Sequence, residues 1–143
     1  MKYVLSLFLV CALLLSCAFA EEEFFAVCPG DTGKVVSLFA ESIGYSAGNI
    51  AEEAVFDDDI LSHLLKFQEE NGLKASGNFD LETLNYIFGV QSETGGTVIV
   101  WIPMHGGKKY HNNRECSNMI DPRQAPVECA LALELEPCKK CYK

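Results

Sequence analysis

The chain has 143 residues, with twenty Asp/Glu against eleven Lys/Arg, a formal net charge of −9 and hydrophobic residues making up 49%. That acidic balance argues against nucleic acid as a partner, which needs a basic footprint, and against simple electrostatic adhesion to anionic wall polymers or lipids. With a leader set aside, the length suits one ordinary domain or two very small ones.

Residues 1–20 read as a targeting segment. Lys2 supplies a positive start, residues 4–15 an apolar run, and Ala18-Phe19-Ala20 a small-x-small cleavage site, so the expected product is a secreted chain beginning at Glu21. Two other readings stay open. Leu14-Leu15-Ser16-Cys17 loosely matches a lipobox with Cys17 as the lipidated residue, and an uncleaved anchor would use an apolar run at the short end of the roughly 17–25 residues a span needs.

Charge divides the remainder. Residues 21–95 hold fifteen Asp/Glu and three Lys/Arg, whereas residues 96–143 hold five and seven. The shift falls at residues 91–96, QSETGG, a polar stretch that reads as a linker. The Asp57-Asp58-Asp59 run suits a helix start, where carboxylates meet the positive end of the helix dipole; as a calcium site it lacks the alternating spacing of an EF-hand loop.

Within residues 28–90 the apolar spacing predicts three helices. In the first, Val35, Leu38, Phe39 and Ser42/Ile43 share a face, Gly44 suits the left-handed C′ position and Tyr45 folds back behind it. In the second, Ile60, Leu61, Leu64, Phe67 and Gln68 keep helical spacing, and Asn71-Gly72 stops it. Ser76-Gly77-Asn78 turns the chain, Asp80 caps the third helix by accepting from the amide near Thr83, and Phe79 with Leu84 form a hydrophobic staple. Leu38, Phe39, Leu64, Phe67, Leu84 and Ile87 are the expected core; Tyr45 and Phe56 are either core or exposed platforms for a sugar, with core the stronger reading in so small a unit.

FQEENGL followed by SGNFDLETL, preceded by GDTGKVVSLFAESIGY, resembles peptidoglycan-binding-like domains, with Gln68, Gly72, Gly77, Asp80 and Thr83 in the family's order. The resemblance covers residues 28–90; it implies a three-helix bundle and a partner in peptidoglycan or a related cell-wall glycan or peptide.

The second part opens with TVIVWI, residues 97–102, β-branched and aromatic enough for a strand that Pro103 ends. Gly106-Gly107 turns the chain so that residues 108–111 return as a hairpin partner, and PVECALALELE, residues 126–136, reads as a short helix started by one proline and stopped by the next. The fold class expected is thus α+β in two small domains: a three-helix bundle, then a β-hairpin with a short helix.

His111-x4-Cys116 and, after twenty-one residues, Cys138-x2-Cys141 is a zinc-ligand arrangement, because two close pairs joined by a longer loop can wrap one tetrahedral ion. A metal staple also answers the small apolar surface of residues 97–143. Three alternatives remain: disulfides among Cys28, Cys116, Cys129, Cys138 and Cys141, a redox pair at Cys138 and Cys141, or His105 in place of His111. If zinc takes three cysteines, Cys28 and Cys129 are left and could pair.

GKKYH, then Cys116, then PCKKC resembles a small Cys/His module of bacterial secreted and surface proteins, similar to the metal-binding fold of Ada-type DNA repair proteins. It implies His111, Cys116, Cys138 and Cys141 as ligands and a metal, not alkyl transfer. Glu134 departs from this pattern, which has glycine after its short helix; it either takes a strained left-handed conformation or the helix runs on. No nucleophile-base-orienter set is evident, and four ligands leave a zinc ion no open position. The expected function is therefore a secreted, non-catalytic, wall-binding protein with structural zinc. A protein-interaction or regulatory module is the alternative, and a small metal-dependent hydrolase a third reading.

Overall fold

The computed structural model describes residues 25–46, 54–89 and 96–143. The leader with Cys17, the acidic run 21–23 with Phe24, and all of the linker except Gly96 lie outside the described residues. Within them four helices and six short strands form an α+β fold: β1 (Phe25–Val27), α1 (Lys34–Ser42), α2 (Asp58–Glu70), β2 (Phe79–Asp80), α3 (Leu81–Phe88), β3 (Ile99–His105), β4 (Lys109–Tyr110), β5 (Ile120–Pro126), α4 (Val127–Ala132) and β6 (Glu136–Pro137). The strands form three two-stranded sheets, β1–β2 and β3–β5 antiparallel and β4–β6 parallel. Among the described residues no helix is long and apolar enough to cross a membrane.

This corrects the expectation of a three-helix bundle. The three helices are present, but they do not close a core among themselves. β1 pairs with β2, and its Ala26 and Val27 are fully buried. One cluster of buried side chains then runs from Val36, Phe39, Leu64 and Leu84 into Val100 and Ile102 of β3, Ala125 of β5 and Ala130 of α4. Phe79 links the layers, with its ring centroid 5.2 Å from Phe39 and 5.5 Å from Phe56. The physical reason is supply: helices of nine, thirteen and eight residues offer too few apolar side chains to bury one another, so the β3–β5 ribbon completes the interior.

The helix ends follow the local chemistry. Asp57 caps α2 by accepting from the Ile60 amide at 3.0 Å, and Asp80 caps α3 by accepting from the Thr83 amide at 2.9 Å. α1, α2 and α4 all end in the same pair of bonds. After α2, Leu73 N–H reaches Gln68 O at 2.8 Å and Gly72 N–H reaches Glu69 O at 3.2 Å; after α4, Leu135 N–H reaches Ala130 O and Glu134 N–H reaches Leu131 O, both at 2.9 Å. Gly72 fills the left-handed position at φ 69°, and Glu134 fills the equivalent one at φ 57°. The helix therefore stops where the glycine pattern would stop it, with a side chain in a conformation that disfavours one.

One core expectation fails. Phe67 is only half-buried, and its face of α2 is occupied instead by the fully buried Gln68. The Gln68 amide satisfies the turn that follows: Nε2 donates to Thr83 Oγ1 at 2.9 Å and Asn78 O at 3.0 Å, and Oε1 accepts from the Gly77 amide at 3.1 Å. Asp80 adds a 2.6 Å bond from the Ser76 hydroxyl. The motif residues of residues 68–83 thus interlock as a buried polar unit. Phe56 is core, 1% exposed, and Tyr45 packs on His63 with centroids 4.8 Å apart.

The expected hairpin is also corrected. β3 runs through Pro103 to His105, and its partner is β5, from Ile99 opposite Pro126 to His105 opposite Ile120. Pro103 faces Pro122, so the two residues without an N–H sit opposite each other. Residues 108–111 pair with β3 through a single antiparallel bridge between Trp101 and His111, while β4 pairs with β6.

Candidate metal centre

The bridge and the parallel pair place the ligands. Trp101 N–H donates to His111 O at 2.7 Å and His111 N–H to Trp101 O at 2.9 Å, which fixes His111 against the central strand. On the other side of β4, Glu136 N–H reaches Lys108 O at 2.9 Å and Cys138 N–H reaches Tyr110 O at 3.0 Å, which brings the C-terminal ligand pair beside His111. A tight turn follows, in which the Cys141 and Tyr142 amides both donate to Cys138 O. The Cys116 loop is shaped by Asn113, whose carboxamide oxygen accepts from the Glu115 amide at 2.8 Å and whose carbonyl accepts from the Cys116 amide at 3.3 Å. Arg114 of the same loop lies over the Trp101 ring, 5.6 Å from its centroid. Asn112 ties the loop to the chain end by donating to Cys141 O at 3.2 Å.

The result is one cluster: a ligand atom from each of His111, Cys116, Cys138 and Cys141 lies within 4.8 Å of the others, close enough to hold a metal ion. Cys116 Sγ and Cys138 Sγ are 3.8 Å apart, and Cys141 Sγ is 3.7 Å from His111 Nδ1. Those separations suit the edges of a tetrahedron around an ion with bonds of about 2.3 Å to sulfur and about 2.0 Å to nitrogen. His111 turns Nδ1 toward Cys141, while its Nε2 lies 3.4 Å from Ser117 Oγ. Ser117 is thus placed where the orienting partner of a metal-bound histidine would stand. Sequence reasoning missed it, and its one signal is that it follows Cys116 directly.

The electrostatics suit a cation. The backbone amides of Lys140 and then Cys141 point at Cys138 sulfur and hold its thiol below the ordinary value. The hydrogen bond with Cys141, then burial and the nearby Cys138, push the Cys116 thiol up to about 11. Three sulfurs this close cannot all ionise without a counter-charge. Burial, then the neighbouring Lys109, lowers the His111 value and so favours the neutral imidazole that binds metal.

The other candidates fall elsewhere. His105 is not a member of the cluster. Cys28, Cys116, Cys129, Cys138 and Cys141 all carry free thiols, so the disulfide alternatives, a Cys28–Cys129 pair among them, are not formed. Cys129 is fully buried in the core, where burial, then Glu128, pushes its thiol up to about 12. Among the described residues the Cys/His cluster is the one group that gathers three or more potential ligands; Asp57, Asp58 and Asp59 do not. The exposed aromatic pair in the helical part is Phe67 with Tyr86, centroids 5.7 Å apart, and Tyr86 is 51% exposed.

No protein-family model, no curated protein and no solved structure matches this chain.

Proposed function

We propose that this chain is an exported, non-catalytic binding protein whose C-terminal part is held together by one structural zinc ion. The observation that carries it is the four-atom cluster of His111, Cys116, Cys138 and Cys141. Zinc is the natural occupant of a set with three sulfurs and one imidazole nitrogen at tetrahedral spacing. Four protein ligands complete its coordination, the pattern of a structural rather than a catalytic ion. The partner we propose is peptidoglycan or a related wall glycan. Its support is the resemblance of residues 28–90 to peptidoglycan-binding-like domains, together with the half-exposed Phe67–Tyr86 pair, which offers an aromatic surface to a sugar ring. Export rests on the apolar run and Ala18-Phe19-Ala20.

Two measurements test this reading. Metal analysis of protein purified without added zinc is expected to give about one equivalent. Retention on purified wall sacculi is expected to fall when Tyr86 is changed to Ser; absence of metal, or of any retention, would reject the corresponding half.

A further inference from the structure

The β4–β6 pairing does more than seat the ligands. It brings Lys108 and Lys109 to the segment that leads into the Cys138–Cys141 turn, and Lys108, Lys109, Lys139 and Lys140 line one cavity of about 490 Å³. His111, Cys116 and Cys138 also line it, as do Pro103, Met119 and Ile120. Its volume is within the range of small-molecule sites. The chain has twenty Asp/Glu, yet no carboxylate lines this cavity. Among the described residues none of the four lysines is ion-paired.

Compensation of the metal-bound sulfurs does not account for four ammonium groups. Three thiolates and a neutral imidazole around a divalent cation leave a single negative charge. Bringing two lysine pairs together raises the energy of the fold, and Glu136, opposite Lys109 in the β4–β6 register, and Glu134 line the adjoining cavity with Lys108 rather than this one. The lining also has a chemical preference. It contains no arginine, whose planar fork matches a planar carboxylate; lysines act as point charges around a compact oxyanion. Ile120, 61% exposed in the lining, offers apolar contact to whatever carries that anion.

We propose that this cavity binds a small organic ester of phosphate or sulfate, with Lys108, Lys109, Lys139 and Lys140 around the tetrahedral oxyanion and Met119 and Ile120 against the organic part. The site rests on the metal reading in one respect: the ion holds Lys139 and Lys140, which lie between two of its ligands, in place.

The test titrates the full chain, its metal content measured beforehand, with phenyl phosphate and phenyl sulfate, using calorimetry and amide chemical shifts. Saturable binding is expected, with shifts concentrated in residues 105–120 and 138–141. It is expected to weaken about tenfold in the Lys108→Gln/Lys139→Gln variant at unchanged metal content, and to weaken as salt is raised. Ile120→Ser should weaken phenyl phosphate more than inorganic phosphate. No saturable binding up to about 10 mM, or equal binding by the double lysine variant, overturns the proposal. A preparation that carries no metal as purified overturns the zinc reading, and if it still binds through these lysines the cavity stands without the ion; a metal-loaded preparation that does not bind overturns this proposal and leaves the zinc reading intact.

Discussion

Arg123 of β5 and Asp31, ninety-two residues apart, meet at 3.0 Å between Nη2 and Oδ1. The same Asp31 accepts from the Cys28 amide through its other oxygen at 2.8 Å, so one carboxylate joins the turn before α1 to the β3–β5 ribbon. Both side chains are largely buried, 25% and 16% exposed. Arg123→Gln is therefore expected to cost about 1–3 kcal/mol by leaving Asp31 short of a partner. Denaturant unfolding of the single and double variants with Asp31→Asn checks this, and a coupling near zero would show that the pair does not join the two parts. Arg123 also holds the Asp121 carboxyl below its ordinary value, first through the hydrogen bond between them. A depressed carboxylate stabilises the fold above its unfolded pKa, and that stabilisation is lost as pH falls through the folded value. The gap between wild type and Arg123→Gln should narrow below about pH 4.

Gln68 and Phe67 are neighbours on α2 with opposite consequences. Gln68→Ala would strip partners from the buried Gly77 amide and Thr83 hydroxyl, at roughly 2–4 kcal/mol. Phe67→Ala removes a half-buried ring that meets Tyr86 at the surface and is expected to cost about 1 kcal/mol. Thermal unfolding of the two variants should rank them in that order; the reverse ranking would restore Phe67 to the core.

Cys138→Ser removes the sulfur that the backbone amides of residues 140 and 141 stabilise. Metal content should fall below one equivalent, and amides of residues 106–118 and 136–143 should lose protection from exchange. Cys129→Ala serves as the contrast, because Cys129 lies in the core outside the cluster and its loss should leave the metal in place. Equal metal loss in both variants would refute the ligand assignment.

Glu134→Gly should stabilise the protein by about 1 kcal/mol, because φ of 57° suits glycine better than a residue with a side chain. A loss of stability would mean that the glutamate side chain contributes more than its backbone strain costs.

The sequence made the site more legible than the fold. Cys-x-x-Cys and His-x4-Cys are short patterns whose spacing alone brings ligands together, so His111, Cys116, Cys138 and Cys141 could be named directly. Caps were legible too: Asp80, Gly72 and Gly44 act through neighbours a few residues away. The architecture was not, because it depends on pairing across long separations. IDPRQAP, residues 120–126, has two prolines, an acidic and a basic residue and no apolar alternation, and becomes a strand only because β3 lies beside it. Gln68 keeps the helical spacing, but periodicity counts apolar residues and so assigns the core to Phe67 beside it.

Trp101 is the chain's single tryptophan. Its backbone is bonded to that of His111, and its ring lies under Arg114 in the loop that carries Cys116. Any event that loosens this loop also alters the charge above the indole, and light too long in wavelength for the five tyrosines excites that one position alone. The protein thus carries a native optical reporter of its Cys/His cluster, with no label required.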